Sequence, residues 1–396
     1  MVSVLALACK SLARKSWGRL AVGIAAIVLA ACTPVGVTSG GPSIDPGAAV
    51  PVALLVPSGS GQAGDEFLAL SLQNAAKLAI ADLSGVQIDL RVYSTGGQPG
   101  QAQAMAIKAV DEGAQIILGP VFAQEANAAG VAVSSRGINV LSFSNNPDIA
   151  GGNVFVLGQT FETTATRLAS YAARNGKRNI MVVHDRNTVG DIGLAAIRAG
   201  ASDAGASIVA VGNYAFSQNG VVSAIPGIAA AAKSSAADVI FFTADTAGAL
   251  PLITQLLREN GVNAETTRFM GLTRWDVPTA SLGLPGLQGG WFAMPDPGLY
   301  QQYQARYQAA FGATPHPISG LAYDGIAAIG ALVKQGKANA LTAAALTQGS
   351  GFVGVNGVFR LRSDGTNDRG LAVAEVRAGR MAVIDAAPRS FGGAGF

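Results

Sequence analysis

Residues 52–64 read VALLVPSGSGQAG, and residues 65–83 continue as DEFLALSLQNAAKLAIADL. The first five residues are apolar on both faces, which is typical of a parallel strand that helices cover on either side. In the second segment apolar residues recur every three or four positions, as on one buried helix face: Leu68, Leu72, Ala75, Ala76, Ala79 and Leu83. The stretch therefore predicts a strand, a glycine-serine turn and a helix with Asp65 as its N-cap.

The turn carries Ser58 and Ser60 directly after the strand. Open α/β sheets bind ligands beyond the carboxyl ends of their strands, where backbone N–H groups and small hydroxyls point into open space. Serines of this kind also form turns by hydrogen bonding to their own backbone. We predict that both serines contact a ligand, with the turn-forming role as the alternative.

The first 31 residues have the pattern of an export leader. A basic region with Lys10, Arg14, Lys15 and Arg19 precedes an apolar run over residues 20–31. That run is shorter than the roughly 20 residues that a membrane-spanning helix needs. Without the leader the formal charge falls from +3 to −1, because the leader carries four basic and no acidic residues. The remaining chain has no basic excess that would favour nucleic-acid binding.

The leader ends in Leu29-Ala30-Ala31-Cys32, which resembles the lipobox of bacterial lipoproteins. The resemblance implies a signal peptide over residues 1–31, lipidation of Cys32 and a lipid anchor in a membrane. Thr33 after the cysteine favours the outer membrane over the inner one. The other cysteine, Cys9, leaves with the leader, so neither a disulfide nor a cysteine metal site is available. Residues 32–49 are rich in Pro, Gly, Ser and Thr, which predicts a flexible tether.

Strand and helix patterns alternate twice along the rest of the chain, which predicts an α/β fold with two Rossmann-like lobes. Each lobe has a parallel sheet, and hinge crossovers join the two. We assign residues 50–158 plus 294–350 to lobe 1, and residues 159–293 plus 351–386 to lobe 2. The predicted hinges lie at residues 158–161, at 293–295 and within 352–358. The patterns at residues 358–361, 372–376 and 381–384 predict a small set of antiparallel strands at the end of the chain.

The order of these elements over about residues 50–385 resembles the type I periplasmic binding proteins of the leucine/isoleucine/valine-binding branch. The resemblance is carried by the opening strand and turn, Ile117-Leu118-Gly119-Pro120, Asn139-Val140-Leu141-Ser142 and Tyr323-Asp324. It implies a periplasmic protein whose lobes close on a small polar, amino-acid-like ligand and deliver it to an ABC permease.

Other segments resemble the penicillin-binding protein activator lipoproteins of the outer membrane. These segments are GLTRW at 271–275, LQGGWFA at 287–293, YQAAFGATP at 307–315 and GVFRL at 357–361. This second resemblance implies a regulator of peptidoglycan synthesis whose partner is a penicillin-binding protein. The chain departs from the best-known members because it has no sizeable helical-repeat domain before residue 50.

A free amino acid needs donors for its carboxylate and an anion for its ammonium group. The carboxylate donors that we predict are the serines Ser58, Ser60, Ser142 and Ser144 and the N–H groups near Val121. Asp245 or Asp276 is the predicted ammonium partner. The tyrosine that the family places in the second lobe corresponds to Val189. Further predicted cleft residues are Arg274, Trp275 and three aromatics that are alternatively core residues: Phe122, Phe143 and Phe161.

Catalysis has little support in the sequence. The two histidines, His184 and His316, are far apart, and the neighbouring Asp185 points away from His184 in an extended segment. There is no Gly-x-Ser-x-Gly elbow, HExxH motif or phosphate-binding lysine loop. Clustered metal ligands are also absent from the sequence pattern. We therefore predict a binding protein with no catalytic residues, no metal and no cofactor.

Overall fold

The computed structural model describes residues 41–392. The predicted leader, Cys32 and the first part of the tether lie outside the described residues. No helix within residues 41–392 is long and apolar enough to cross a membrane.

The first sheet is parallel and contains five strands in the order β2-β1-β3-β4-β5. Its strands are β1 Val50–Val56, β2 Ile88–Ser94, β3 Ile116–Leu118, β4 Val140–Ser142 and β5 Val154–Val156. The connecting helices are α1 Ala63–Asp82, α2 Pro99–Asp111 and α3 Ala123–Val133. Short 3₁₀ helices follow at Ser134–Arg136 and Pro147–Ile149.

Helices cover both faces of β1, as its composition predicts. Val52, Leu54 and Val56 pack in one core with the apolar face of α1, while Ala53 and Leu55 pack in the other core. The predicted N-cap is wrong, because α1 begins at Ala63 and its N-cap residue is Gln62. Asp65 and Glu66 lie in the first turn, where the Glu66 carboxylate accepts the N–H of Gly59 at 2.6 Å. Acidic residues there favour the positive end of the helix.

The second sheet contains seven strands in the order β15-β14-β10-β9-β8-β6-β7. Its strands are β6 Asn179–Asp185, β7 Ser207–Tyr214, β8 Val239–Phe242, β9 Arg268–Gly271, β10 Trp291–Met294, β14 Ala372–Arg377 and β15 Arg380–Asp385. Its helices are α4 Phe161–Arg174, α5 Thr188–Asp203, α6 Gln218–Ser234 and α7 Leu250–Glu259, with 3₁₀ helices at Thr279–Gly283 and Pro285–Leu287. Strands β6 to β10 run parallel, and β14 and β15 close the edge in antiparallel fashion.

After β10 the chain returns to the first lobe. It forms α8 Pro297–Phe311, α9 Gly320–Val333 and α10 Ala343–Leu346, whose apolar residues join the core of α1 and the first sheet. A separate three-stranded antiparallel sheet follows, with β11 Phe352–Gly354, β12 Gly357–Leu361 and β13 Asn367–Arg369. The protein is therefore an α/β fold with parallel sheets in two lobes.

The antiparallel strands that we predicted at the end of the chain are divided between the two lobes. Phe352, Phe359 and Leu361 lie in the core of lobe 1, whereas β14 and β15 extend the sheet of lobe 2. The third crossing follows Arg369 and not residues 352–358, because Leu371 is the next core residue and belongs to lobe 2. The prediction that residues 351–386 lie together in lobe 2 is corrected accordingly. The other lobe boundaries stay predictions.

The described end of the predicted tether is packed against lobe 1. Ile44 is only 6 % exposed and belongs to the lobe 1 core, and its N–H donates to the carbonyl of Ala338 at 2.9 Å. A methyl group added at Gly41 would overlap the backbone of Thr342. The tether that we predicted over residues 32–49 is therefore fixed to the fold from Gly41 onward.

Ile44→Ala is expected to lower the free energy of unfolding by about 2 kcal/mol, because it removes a buried aliphatic side chain from a packed core. Urea unfolding followed by circular dichroism measures this change. Replacing the exposed Val131, which is 70 % accessible, by alanine is the control and should change stability by less than about 0.5 kcal/mol. Equal stability of the Ile44 variant and the wild type would contradict the packing of this segment.

Candidate functional site

A cavity of about 740 Å³ lies between the two lobes, at the carboxyl ends of the parallel strands. Loops after β3 and β4 form its lobe 1 wall, and loops after β8 and β9 form its lobe 2 wall. Ligands bind at this edge of open α/β sheets because the strand ends leave a crevice between diverging helices. The cavity is therefore the candidate ligand site.

The lobe 1 wall combines helix N–H groups with a buried hydroxyl. Val121, Phe122 and Ala123 line the cavity where α3 begins. The first N–H groups of a helix have no acceptor within it and carry partial positive charge. Ser144 lines the same wall, and its hydroxyl accepts the N–H of Asn146 at 3.1 Å, which leaves its own proton free to donate. This wall is suited to a carboxylate.

Glu125 lies in the first turn of α3 but does not place a negative charge on the cavity wall, so the wall remains suited to an anion. The side chain is buried, at 1 % exposure, and it does not line the cavity. Burial raises the pKa of its carboxyl group, which favours the neutral form.

The lobe 2 wall carries the one carboxylate among the described residues that line the cavity. Asp245 follows β8, and its Oδ1 atom accepts the N–H of Gly248 at 2.6 Å. Its Oδ2 atom keeps capacity for a cationic group of a ligand. Arg274 follows β9 and makes a two-point ion pair with Asp276, with distances of 2.9 and 2.5 Å. Asp276 is therefore occupied, and Asp245 is the available anion.

The floor of the cavity contains a buried ion pair at the crossing between the lobes. Arg369 lines the cavity with a side chain that is 3 % exposed, and its Nη1 atom lies 3.1 Å from Oδ2 of Asp324, which is 0 % exposed. The Nε atom of Arg369 donates to the carbonyl of Leu157 in the first crossover at 2.8 Å. Asn367, two residues earlier, donates to the carbonyls of Val156 and Gly158. Side chains of β13, directly before the third crossover, thus bind the backbone of the first crossover.

Burial opposes both charges of this ion pair. Desolvation raises the pKa of Asp324, while Arg369 and the amide and backbone N–H groups of Asn356 act in the opposite direction. Desolvation also lowers the pKa of Arg369, and Asp324 counteracts it. Val355 adds a further N–H to Asp324 at 2.8 Å. Every polar side-chain atom of the pair except Nη2 of Arg369 has a partner among the described residues, which offsets part of the cost of burying both charges.

Seven of the predicted contact residues line the cavity: Val121, Phe122, Phe143, Ser144, Phe161, Asp245 and Arg274. Their positions agree with a ligand site, and their contact with a ligand stays a prediction. The three phenylalanines make much of the surface apolar, with Phe143 almost fully buried and Phe122 at the opening.

Four predicted residues lie elsewhere. The hydroxyl of Ser58 bonds to that of Ser94 at the end of β2 at 2.7 Å, and Ser60 accepts the N–H of Gln62 within the turn; neither serine lines the cavity. Ser142 is buried and donates to the carbonyl of Pro120. Trp275 is 0 % exposed in the lobe 2 core, stacked near Phe292.

The serines of the first turn miss the cavity because β1 is displaced in the sheet from the crossing between the lobes. The cavity lies over β3 and β4, which are nearer to β5 and the first crossover. Val189 is the position that we matched to the family tyrosine. It is exposed and is not part of the cavity wall.

Eight polar residues that line the cavity were not among the predicted contacts: Asn145, Asn146, Gln159, Thr164, Thr246, Thr273, Asn356 and Arg369. Asn367-Asp368-Arg369 forms a buried strand although all three residues are polar. A polar run after the Asp364-Gly365 turn resembles an exposed loop, so only the buried ion pair identifies it as interior. No group of residues within the described chain has the composition of a metal site.

The sequence profile of a family described as periplasmic binding protein matches residues 49–380. No curated protein matches the chain. Solved structures do match, and the sequence identities below 20 % show a shared fold.

One such structure, from Rhodospirillum rubrum, is assigned to a branched-chain amino acid ABC transporter. It has 18 % identity and a TM-score of 0.72, and the match covers 85 % of this chain and 100 % of the other. A substrate-binding protein from Desulfitobacterium hafniense, in complex with Leu, has 16 % identity, a TM-score of 0.63 and coverage of 85 % and 100 %. A solute-binding protein from R. palustris, in complex with benzoate, has 19 % identity, a TM-score of 0.56 and coverage of 87 % and 97 %.

Proposed function

The chain belongs to the periplasmic binding protein family, and on that premise we propose that it captures an amino acid or a related small polar ligand for an ABC importer. The observation that carries the proposal is the division of charge across the interlobe cavity. Donors of α3 and Ser144 form the lobe 1 wall, and Asp245 faces them from lobe 2. This arrangement matches the carboxylate and ammonium groups of an amino acid.

Closure of the lobes is the proposed signal to the permease. Within residues 41–392 the chain passes between the two lobes near residues 157–160, 295–296 and 370–371, so hinge motion there would bring the walls together. A ligand that contacts both walls stabilises the closed form, which offers the permease a surface that the open form lacks.

The proposal includes the membrane anchor. We infer that Cys32 is lipidated and holds the protein at a membrane facing the periplasm, with the outer membrane favoured by Thr33. The docking of the chain from Gly41 onward leaves residues 33–40 as the connection between the anchor and lobe 1. Metabolic labelling with a fatty-acid probe should mark the wild type and not Cys32→Ser.

The alternative is a regulator that binds a penicillin-binding protein. Its support is the resemblance over residues 271–275, 287–293 and 307–315. In the structure, however, four of the five aromatic residues of these segments are buried core residues, namely Trp275, Trp291, Phe292 and Tyr307, and Phe311 is partly buried against the lobe 1 core. Buried side chains stabilise the core and do not form a surface that a partner could contact. The resemblance over these segments is therefore explained by packing, and the importer function is favoured. Co-purification of a penicillin-binding protein, without stabilisation by any amino acid, would favour the alternative.

Asp245→Asn is expected to weaken binding of an amino acid by about tenfold or more, because it removes the charge that faces the ammonium group. Isothermal titration calorimetry should be run with leucine and with 4-methylpentanoate, which lacks only the ammonium group. The wild type should bind leucine more tightly, and the variant should lose that preference.

Asp191→Asn is the matched control, since Asp191 is a highly exposed lobe 2 carboxylate that does not line the cavity. It should leave the affinities for both compounds unchanged. Tighter binding of 4-methylpentanoate than of leucine by the wild type would contradict the role of Asp245. Binding of neither leucine nor any other amino acid would contradict the proposed function.

A further inference from the structure

A second cavity of about 590 Å³ adjoins the interlobe cavity. Its lobe 1 wall comes from Phe67 in the first turns of α1, from α8 and from the segment that follows α8. Its lobe 2 wall comes from the loop after β9 and from Met381 of β15. Both lobes therefore form its walls, as they form the walls of the first cavity.

Three residues line both cavities and form the border between them: Arg274, Val277 and Pro317. The hydroxyl of Thr246, which lines the first cavity, donates to the carbonyl of Val277 at 2.7 Å. Asp245, the proposed partner of the ammonium group, is the residue before Thr246 and therefore lies close to this border. A ligand that binds Asp245 can extend across the border into the second cavity.

The border and the second cavity favour an uncharged part of the ligand. Among the described residues that line the second cavity, Arg274 and Asp276 carry charge, and each is the partner of the other in the two-point ion pair. Burial raises the pKa of the Tyr300 phenol, and both charges also act on that pKa, so the phenol of α8 lies near the pair. A charged group of a ligand would lose hydration here without a free counter-charge.

The rest of the wall suits an aromatic ring. Its apolar residues include Phe67, Tyr300, Met294 and Met381, together with four prolines. Aromatic rings pack edge-to-face or offset on other rings, and thioether sulfur atoms make favourable contacts with rings. Phe67 is 45 % exposed, and its ring packs edge-to-face on His316 with 5.7 Å between the centroids. A ligand ring that covers Phe67 would remove apolar surface from water.

We propose that the ligand is an amino acid with a long side chain that ends in an uncharged aromatic ring, and that this ring binds in the second cavity. This inference rests on the proposed function, because the α-carboxylate and ammonium groups must occupy the first cavity. Cavities of about 300–1,000 Å³ hold molecules of drug size. The adjoining volumes of about 740 and 590 Å³ therefore exceed what a free aliphatic amino acid needs. The amides of Gln301 and Gln304 line the second cavity and can pair with a polar linkage in the side chain.

Calorimetric titration of the purified full-length protein with Nε-benzoyl-lysine, Nε-acetyl-lysine and norleucine tests the proposal. All three compounds carry a free α-amino acid group, and the first two share the same stem and amide. Nε-benzoyl-lysine should bind at least about tenfold more tightly than Nε-acetyl-lysine, because only its ring buries apolar surface in the second cavity. Norleucine reports the affinity of the first cavity alone.

Two variants change the second cavity and leave the first intact. Thr279→Trp fills it from an exposed position, and Phe67→Ala removes part of its apolar wall. Each should weaken Nε-benzoyl-lysine by about threefold or more and leave the norleucine affinity unchanged.

Matched controls come from neighbouring positions. Ala280→Trp adds the same bulk at the next residue, and Leu70→Ala truncates an apolar side chain of α1 that is 56 % exposed. Neither position lines either cavity. Both controls should leave the affinities for all three compounds unchanged, and circular dichroism should report a folded protein for all four variants.

The outcomes separate this inference from the proposed function. If norleucine binds but Nε-benzoyl-lysine binds no more tightly than Nε-acetyl-lysine, the role of the second cavity is overturned and the proposed function stays intact. An unchanged affinity for Nε-benzoyl-lysine in both Thr279→Trp and Phe67→Ala also overturns that role, because the ring must then bind elsewhere. An equal loss of norleucine affinity in these variants overturns it as well, since a general structural effect would act on both ligands. Failure of every amino acid to bind overturns the proposed function itself.

Discussion

Asp324→Ala is expected to lower the free energy of unfolding by roughly 3–5 kcal/mol, because it leaves the buried guanidinium of Arg369 without its counter-charge. The N–H groups of Val355 and Asn356 lose their acceptor in the same variant. Asp324 also lies so close to Gly354 that a side chain at that glycine would overlap it. The whole junction between α9, β11 and β13 is therefore built around this carboxylate. Urea unfolding monitored by tryptophan fluorescence measures the change.

The double variant Asp324→Leu/Arg369→Met distinguishes an unpaired charge from a simple loss of contacts. Removal of both charges should be less destabilising than Asp324→Ala alone, because no ion is left buried without a partner. Asp111→Ala is the control, since its ion pair with Arg136 is largely exposed and should contribute no more than about 1 kcal/mol. A loss below about 1 kcal/mol for Asp324→Ala would contradict the role given to the buried pair.

Trp275→Ala is expected to lower the free energy of unfolding by about 3–5 kcal/mol, because it creates a large cavity in the lobe 2 core. Trp275 is packed between Gly271 and Gly290, where any side chain would overlap its ring, and its ring centroid lies 6.3 Å from that of Phe292. The small residues on both sides fit the tryptophan. Urea unfolding measures the effect, and calorimetry tests whether ligand affinity changes when the variant is folded.

Two further variants test the same packing. Gly290→Ala should also be destabilising, by about 1–3 kcal/mol, because the added methyl group overpacks the ring. Phe216→Ala is the control, since this aromatic is 65 % exposed and should change stability by less than about 0.5 kcal/mol. If the Trp275→Ala protein kept wild-type stability but lost ligand affinity, the result would contradict the core role. It would instead support the ligand contact that the sequence analysis predicted for Trp275.

Strand β1 and helix α1, which begin lobe 1, show which features of the fold sequence patterns predict. The unbroken apolar run of β1 predicts burial on both faces, and the three-to-four residue spacing in α1 predicts its core face; both predictions are confirmed. The N-cap prediction fails by three residues: the helix starts after Gln62, whose side chain makes no cap hydrogen bond, so local cap chemistry does not set this helix start. Repetition of the strand–helix pattern also predicts two lobes correctly.

The cavity shows which features local sequence patterns cannot predict. Loops after β3, β4, β8 and β9 are recognisable because each follows an apolar run, and residues such as Ser144 and Asp245 could be selected from them. The order of strands across a sheet is not written in local sequence, so Ser58 could not be separated from Ser144. Arg274 and Trp275 are adjacent, yet the first lines the cavity and the second is core, because neighbouring side chains leave a loop in different directions.

The sequence by itself determined the alternation of strands and helices, the apolar faces of the lobe 1 strands and helix α1, and the carboxyl-end loops that hold ligand candidates. These properties follow from hydrophobic periodicity, which is local in the chain. Only the tertiary structure decided that Arg369 and Asp324 meet at the floor, because they are 45 residues apart in sequence. The same is true of Trp275, whose burial depends on glycines in two separate strand ends. Contacts of this kind arise from the crossings between the lobes, and no local pattern encodes them.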